Sequence, residues 1–148
     1  MSNRRPLYLF ALAIFLLTSF SCAFLQPQEQ EVLIRIAGRR LAGTGVQIFP
    51  TVFKDLGKTA RDACNLPDET MKPSQALELI AQTIGLTLQD KLLAADLKDL
   101  AALIGIRFDA AFNLIGITED QQRLVKVAVC SFADGVELYS QPKRINPI

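Results

Sequence analysis

Thr118-Glu119-Asp120-Gln121-Gln122-Arg123-Leu124-Val125-Lys126-Val127-Ala128-Val129 is the stretch on which the fold turns. Its second half, Val125 to Val129, alternates enough to pass for a strand, and Glu137-Leu138-Tyr139 has the same look. Its first half decides the matter. A threonine followed three residues later by glutamine is a capping box: the hydroxyl accepts from the amide three residues on, while the glutamine side chain reaches back. Glu119 and Asp120 add negative charge where a helix dipole is positive. Leu124, Val127, Ala128 and Phe132 then recur at helical spacing, and no hairpin turn signal separates the alternating runs. The stretch reads as helix from Glu119 to about Ala133, with Asp134-Gly135 ending or bending it, and the chain as all-α.

Upstream, Ile84-Gly85-Leu86-Thr87, Ile104-Gly105-Ile106-Arg107 and Ile115-Gly116-Ile117-Thr118 share the pattern Ile-Gly-aliphatic-polar. Each reads as a helix closing on a left-handed glycine, with the next apolar residue packing back on the last turn. The glycines are unequally spaced, so this is a recurring turn and not a domain repeat. Thr87 with Asp90 is a weaker version of the capping box. Between the turns, Ser74 to Ile84 presents Leu77, Ile80, Ala81 and Ile84. Leu88 to Ile104 presents Leu92, Ala95, Leu100, Leu103 and Ile104, with Asp90, Lys91, Asp96, Lys98 and Asp99 largely on the surface. Asp109 to Ile115 reads as a short helix capped by Asp109.

Toward the N-terminus, Val32, Leu33, Ile36 and Leu41 follow helical spacing, and Gly43-Thr44-Gly45 is expected to stop that helix. Pro50 marks a new start, with Phe53, Leu56, Ala60 and Cys64 along one face, and Asn65-Leu66-Pro67-Asp68 breaks it. Phe49, Phe53, Phe108, Phe112 and Phe132 read as core. The expected architecture is a compact bundle of five or six short helices after an N-terminal signal helix, with short turns favouring antiparallel neighbours. The boundaries run 1–23 for an export signal, 24–31 for a polar tether, 32–140 for the helical domain and 141–148 for an extended tail.

Composition narrows the chemistry. The 148 residues hold no histidine and no tryptophan, which excludes a Ser-His-Asp triad, a His general base and the commonest zinc ligand. Lys and Arg total 16 against 15 Asp and Glu; without Arg4 and Arg5 the balance is 14 to 15, or −1. Such a chain lacks the clustered basic face of a nucleic-acid binder.

Arg4 and Arg5 precede an uncharged apolar run from Leu7 to Phe20, and the small residues Ser21, Cys22 and Ala23 follow. Basic start, apolar middle and small-residue exit make a secretory signal. Thr18-Ser19-Phe20-Ser21-Cys22 resembles the permissive lipobox of bacterial lipoproteins, with Ser19 where the strong form has an aliphatic residue. The resemblance covers residues 1–25 and implies lipidation of Cys22. Two other fates stay open: ordinary cleavage after Ala23, and retention of Pro6 to Leu25, whose 20 uncharged residues suffice to cross a bilayer. Processing at or just after Cys22 leaves Cys64 and Cys130 as an even pair, open to a disulfide in an oxidising compartment or to burial as free thiols.

The remaining constellations are weak. Asp68 with Glu69, Asp96 with Asp99 and Glu119 with Asp120 are the carboxylate candidates, yet a hydrolytic pair must face each other across a cleft. There is no close Cys pair and no Asp-rich calcium loop, so neither a metal nor a cofactor is expected. Arg35, Arg39 and Arg40 follow soon after the membrane address, on a helix with an apolar side. They are candidate membrane-surface contacts, although Glu31 and Arg35 at helical spacing also suit an ordinary bundle helix. The expectation is an exported, membrane-tethered, non-enzymatic protein of the bacterial envelope, on the periplasmic side, with a binding or structural role. The partners expected are the membrane and an envelope protein of unknown identity, with no nucleic acid. A membrane-active protein using residues 31–42 and a small carboxylate hydrolase are the alternatives.

Overall fold

In the computed structural model, residues 26–66 and 71–141 are described. The chain divides into two units, residues 1–30 and 31–148. Of the first, only Gln26 to Gln30 fall among the described residues, where they open a helix. The export signal and Cys22 lie outside the described residues, as do Asp68 and Glu69. The second unit is an all-α bundle. The described elements are α1 (Pro27–Ile48), α2 (Pro50–Asn65), α3 (Pro73–Gln82), a π-helical turn (Thr83–Leu88), α4 (Lys91–Ile104), β1 (Arg107–Phe108), β2 (Leu114–Ile115) and α5 (Glu119–Ser140). Among the described residues no helix is long and apolar enough to cross a membrane.

α1 begins inside the expected tether, since Pro27 supplies a φ already suited to a first helical position. It also runs through Gly43-Thr44-Gly45 to Ile48, where a stop was expected. The reason lies in its neighbours. A Cβ on Gly45 would fall 1.9 Å from Phe53 Cε1, and one on Gly43 would fall 2.8 Å from Tyr139 Cε2. These glycines leave room for rings, and the packing they allow offsets the roughly 1 kcal/mol that glycine costs inside a helix.

α5 is the central element and likewise passes through Asp134-Gly135 to Ser140. A Cβ on Gly135 would meet Ala42 Cβ at 2.8 Å and Arg39 Cα at 2.9 Å, while one on Gly38 would meet the Ala128 carbonyl oxygen at 2.9 Å. Positions 38 and 42 of α1 thus face 128 to 135 of α5 in rising order, and the two helices lie parallel. α2 runs the other way along α5. Gly57 sits under Val136, Arg61 reaches Asp134, and Cys64 bonds to Cys130 with the Cα atoms 5.5 Å apart. Phe53 and Phe132 meet at 5.8 Å between ring centroids at the middle of the core.

The segment from Thr83 to Thr118 departs most from expectation. Gly105 does end α4 in the left-handed region, at φ 76°, and Ile106 packs back, buried, with its amide on the Ala101 carbonyl. Gly85 ends nothing: α3 continues into the π turn, and Gln89 takes the left-handed conformation at φ 50°. α4 begins at Lys91, with Asp90 as its own cap accepting from the Leu92 and Leu93 amides. Thr87, expected at that cap, lies in the π turn. Leu92 is exposed and Asp96 is buried, the reverse of the expected faces.

The short helix expected from Asp109 to Ile115 is instead a two-stranded antiparallel ribbon, with Arg107 opposite Ile115 and Phe108 opposite Leu114. Asp109 caps its turn: Oδ1 accepts from the Ala111 and Asn113 amides, and Oδ2 accepts from Asn113 Nδ2. Phe112 sits at φ 62°, a conformation a bulky residue adopts only when its surroundings hold it there. Its ring lies over Gly85, where a Cβ would come 2.0 Å from Phe112 Cζ. Gly116, also left-handed, follows a strand and not a helix.

Candidate functional site

Of the residues singled out from sequence, Arg35, Arg39, Arg40 and Cys130 lie on one side of the bundle, where α1 meets α5, with Cys64 on α2. Ile34, Gly38, Leu41, Ala42 and Gly45 form the buried face of α1. Val32, Leu33 and Ile36, expected on the apolar side, are exposed. Arg35, Arg39 and Arg40 share the solvent side with them, and each guanidinium is drawn toward a carboxylate.

Arg35 lies 3.9 Å from Glu31, which also accepts from Arg123 of α5. Arg39 lies 3.9 Å from Asp134, and Asp134 is held more closely by Arg61 of α2 at 2.8 Å. Arg61 in turn pairs with Glu137 at 3.0 Å. Surface pairs this open contribute about 0–1 kcal/mol each; they fix orientation more than stability.

Arg40 is different. Its Nε lies 3.0 Å from Asp96 Oδ1, with the Arg40 side chain 72% exposed and the Asp96 side chain 8% exposed. The Thr44 hydroxyl donates to the other carboxylate oxygen at 2.9 Å. A buried carboxylate is costly unless its lone pairs are taken, and α1 supplies both partners. Asp96 therefore pins α4 to α1. The sequence alone places it on the surface, as a charged residue set apart from the apolar series Leu92, Ala95, Leu100, Leu103 and Ile104. Asp96 and Asp99 do not act as a facing pair, and Glu119 and Asp120 occupy the first turn of α5.

Two grooves flank the outer face of α1. One, of about 350 Å³, is lined by Arg35, Arg39, Arg123 and Lys126 around Val127, Cys130, Ser131 and Asp134. The other, of about 450 Å³, lies between Ile36, Arg39, Arg40, Gly43, Leu138 and Tyr139. Arg39 borders both. A third groove, about 590 Å³, runs between α2 and α5 over Gly57, Ala133 and Val136, with Lys54, Lys58, Arg61, Asp55, Asp62 and Glu137 along it. The Ser140 hydroxyl at its margin is buried without a hydrogen-bond partner among the described residues. No group of three metal-ligating side chains comes together among the described residues.

The disulfide lies beside the first groove, since Cys130 lines it. Sequence separation alone could not bring Cys64 and Cys130 together; the antiparallel run of α2 along α5 does. The exposed cations of α5 were missed, although Arg123 and Lys126 stand three apart on the helix that the Thr118 cap begins. Comparison of the chain with protein families, with curated proteins and with solved structures finds no match.

Proposed function

We propose that this chain is an exported, membrane-tethered protein of the bacterial envelope with a non-enzymatic binding or structural role. The observation that carries the reading is the division of its cysteines. Cys64 and Cys130 are bonded across α2 and α5, a linkage suited to an oxidising compartment. The remaining cysteine of the sequence is Cys22, which ends the apolar run behind Arg4 and Arg5. A thiol at that position suits lipid attachment, and two acyl chains give stable anchoring where one does not.

The rest of the chain fits a scaffold. Several charged side chains hold helices together: Asp96 to Arg40 and Thr44, Arg61 to Asp134 and Glu137, and Glu31 to Arg123. The surface grooves gather paired charges and apolar floors, which suits binding.

The test is the intact mass of the protein from membranes, with Cys22→Ala alongside. The expected mass begins at Cys22 and carries a diacylglyceryl-type increment that the variant loses. A chain beginning at Phe24 without lipid would make the protein a freely exported one, and the tethered reading would have to be abandoned.

A further inference from the structure

α1 buries one face well and leaves an apolar stripe on the other. Val32 and Ile36, one turn apart, are 55% and 58% exposed, although Ile34, Leu41, Ala42 and Val46 of the same helix are buried. At about 100° per residue, Gly43 falls on the side of Val32 and Ile36, and Tyr139 covers it. Leu138 and Tyr139 are themselves exposed and extend the stripe onto α5. By the same rotation Arg35 and Arg39 fall on one flank of the stripe and Arg40 on the other.

Aliphatic and aromatic groups bordered by cations on both sides make up a surface that lies in a bilayer interface. Counting Arg123 and Lys126 of the adjoining groove, five cations stand against Glu31, Asp96 and Asp134, a surplus of two. Each of the four guanidiniums has more than half of its side chain exposed. Such charges are attracted to anionic headgroups.

We propose that this outer face of α1, with the end of α5, docks on an anionic bilayer. Lipid phosphates would enter the groove of Arg35, Arg39, Arg123 and Lys126, and Val32, Ile36 and Tyr139 would reach the acyl boundary. The proposal rests on the tethered reading. Cys22 precedes Pro27 by five residue steps, at most about 18 Å when extended, so a lipid on Cys22 keeps α1 within reach of the headgroups.

The chain has no tryptophan, so a single introduced one reports alone. Ile36→Trp in the full-length protein is placed in vesicles of equal parts phosphatidylglycerol and phosphatidylcholine. Ile115→Trp, exposed on the ribbon, is the reference. The expected result is blue-shifted emission at position 36, quenched by brominated acyl chains, with position 115 in water. Both effects should be lost in pure phosphatidylcholine and on adding Arg39→Glu. If the chain floats with the vesicles but position 36 behaves like 115, the docking face is wrong and the tether stands. Shielding from aqueous quencher without quenching by brominated chains would mean that a protein covers the face, which also overturns the proposal. A chain that does not float with vesicles removes the tethered reading and this inference with it.

Discussion

Where α1 meets α2 and α5, glycines sit inside regular helix; between α4 and α5, Gly105 and Gly116 sit at φ 76° and 59°. In the first region the missing side chain matters. Gly38 and Gly135 let two helices approach until backbone meets backbone, and Gly45 receives the Phe53 ring. In the second the freedom of φ matters, and a Cβ on Gly116 would meet nothing within 4 Å. The first region is tied by a disulfide and by side-chain packing. The second is tied by side-chain-to-backbone hydrogen bonds: Leu114 N–H to Glu78, Gln121 Nε2 to the Gly105 carbonyl, and the Asp109 turn. One residue type thus serves close packing in one place and chain reversal in another, and the two uses respond differently to substitution.

The bridge between α2 and α5 carries the largest expected effect. It closes a separation of 66 residues, for which the loss of unfolded-state freedom is worth about 4 kcal/mol. Cys64→Ser with Cys130→Ser should lower stability to urea by that order. A loss below about 1 kcal/mol would show that packing alone holds α2 in place.

Substituting the glycines tests the contrast directly. Gly135→Ala should cost about 2–3 kcal/mol, because overpacking against the Arg39 backbone outweighs the better helix propensity of alanine. Gly116→Ala should cost about 1 kcal/mol, from strain at positive φ alone. Equal losses in denaturant titrations would collapse the distinction between the two regions.

Thr118→Ala should cost about 1 kcal/mol, since the hydroxyl that accepts from the Gln121 amide is lost. Because α5 is the element against which the others pack, the effect should appear as a global shift in midpoint and not as local fraying. Amide exchange that rises only in the first turn of α5 would contradict this.

The smallest effect concerns the ribbon. Hydrogen bonds from the Asn113 side chain and then its amide hold the Asp109 carboxyl below its ordinary value against the opposing effect of desolvation, and the Ala111 amide adds to the lowering. A carboxyl lowered in the folded chain stabilises above its unfolded pKa and loses that contribution as pH falls through the lowered value. Exchange at the Ala111 and Asn113 amides, corrected for intrinsic rates, should therefore speed up on acidification below the usual carboxylate range. In Asp109→Asn this pH dependence should disappear. Its persistence would assign the titration to another group.

Local signals carried much of the fold. The Thr118–Gln121 box, the Gly105 stop and the Pro50 start each depend on contacts within four residues, so they can be read one window at a time. The spacing of Leu77, Ile80, Ala81 and Ile84 predicted a buried face, and all four are buried. The candidate site was legible only in part. Arg35, Arg39 and Arg40 were marked by their spacing, and so was Glu31 beside Arg35, but not Asp96 and Asp134, which meet Arg40 and Arg39, nor Arg123 and Lys126. The partners not foreseen come from α4 and α5, up to 95 positions away in the case of Asp134 and Arg39.

By itself, the sequence determined the helical class, the Thr118 cap, the Gly105 stop, the order of most elements and the apolar run before Cys22. Tertiary structure alone decided that Gly43, Gly45 and Gly135 lie within helices, because a glycine ends a helix or fits beneath a ring according to what packs on it. It alone decided that residues 107–115 form a ribbon, since Asp109 can cap a turn of either kind and Phe112 accepts a positive φ only with Gly85 beneath its ring. And it alone decided which cysteines, charges and apolar side chains meet, because burial and pairing depend on the surfaces brought together and not on neighbours along the chain.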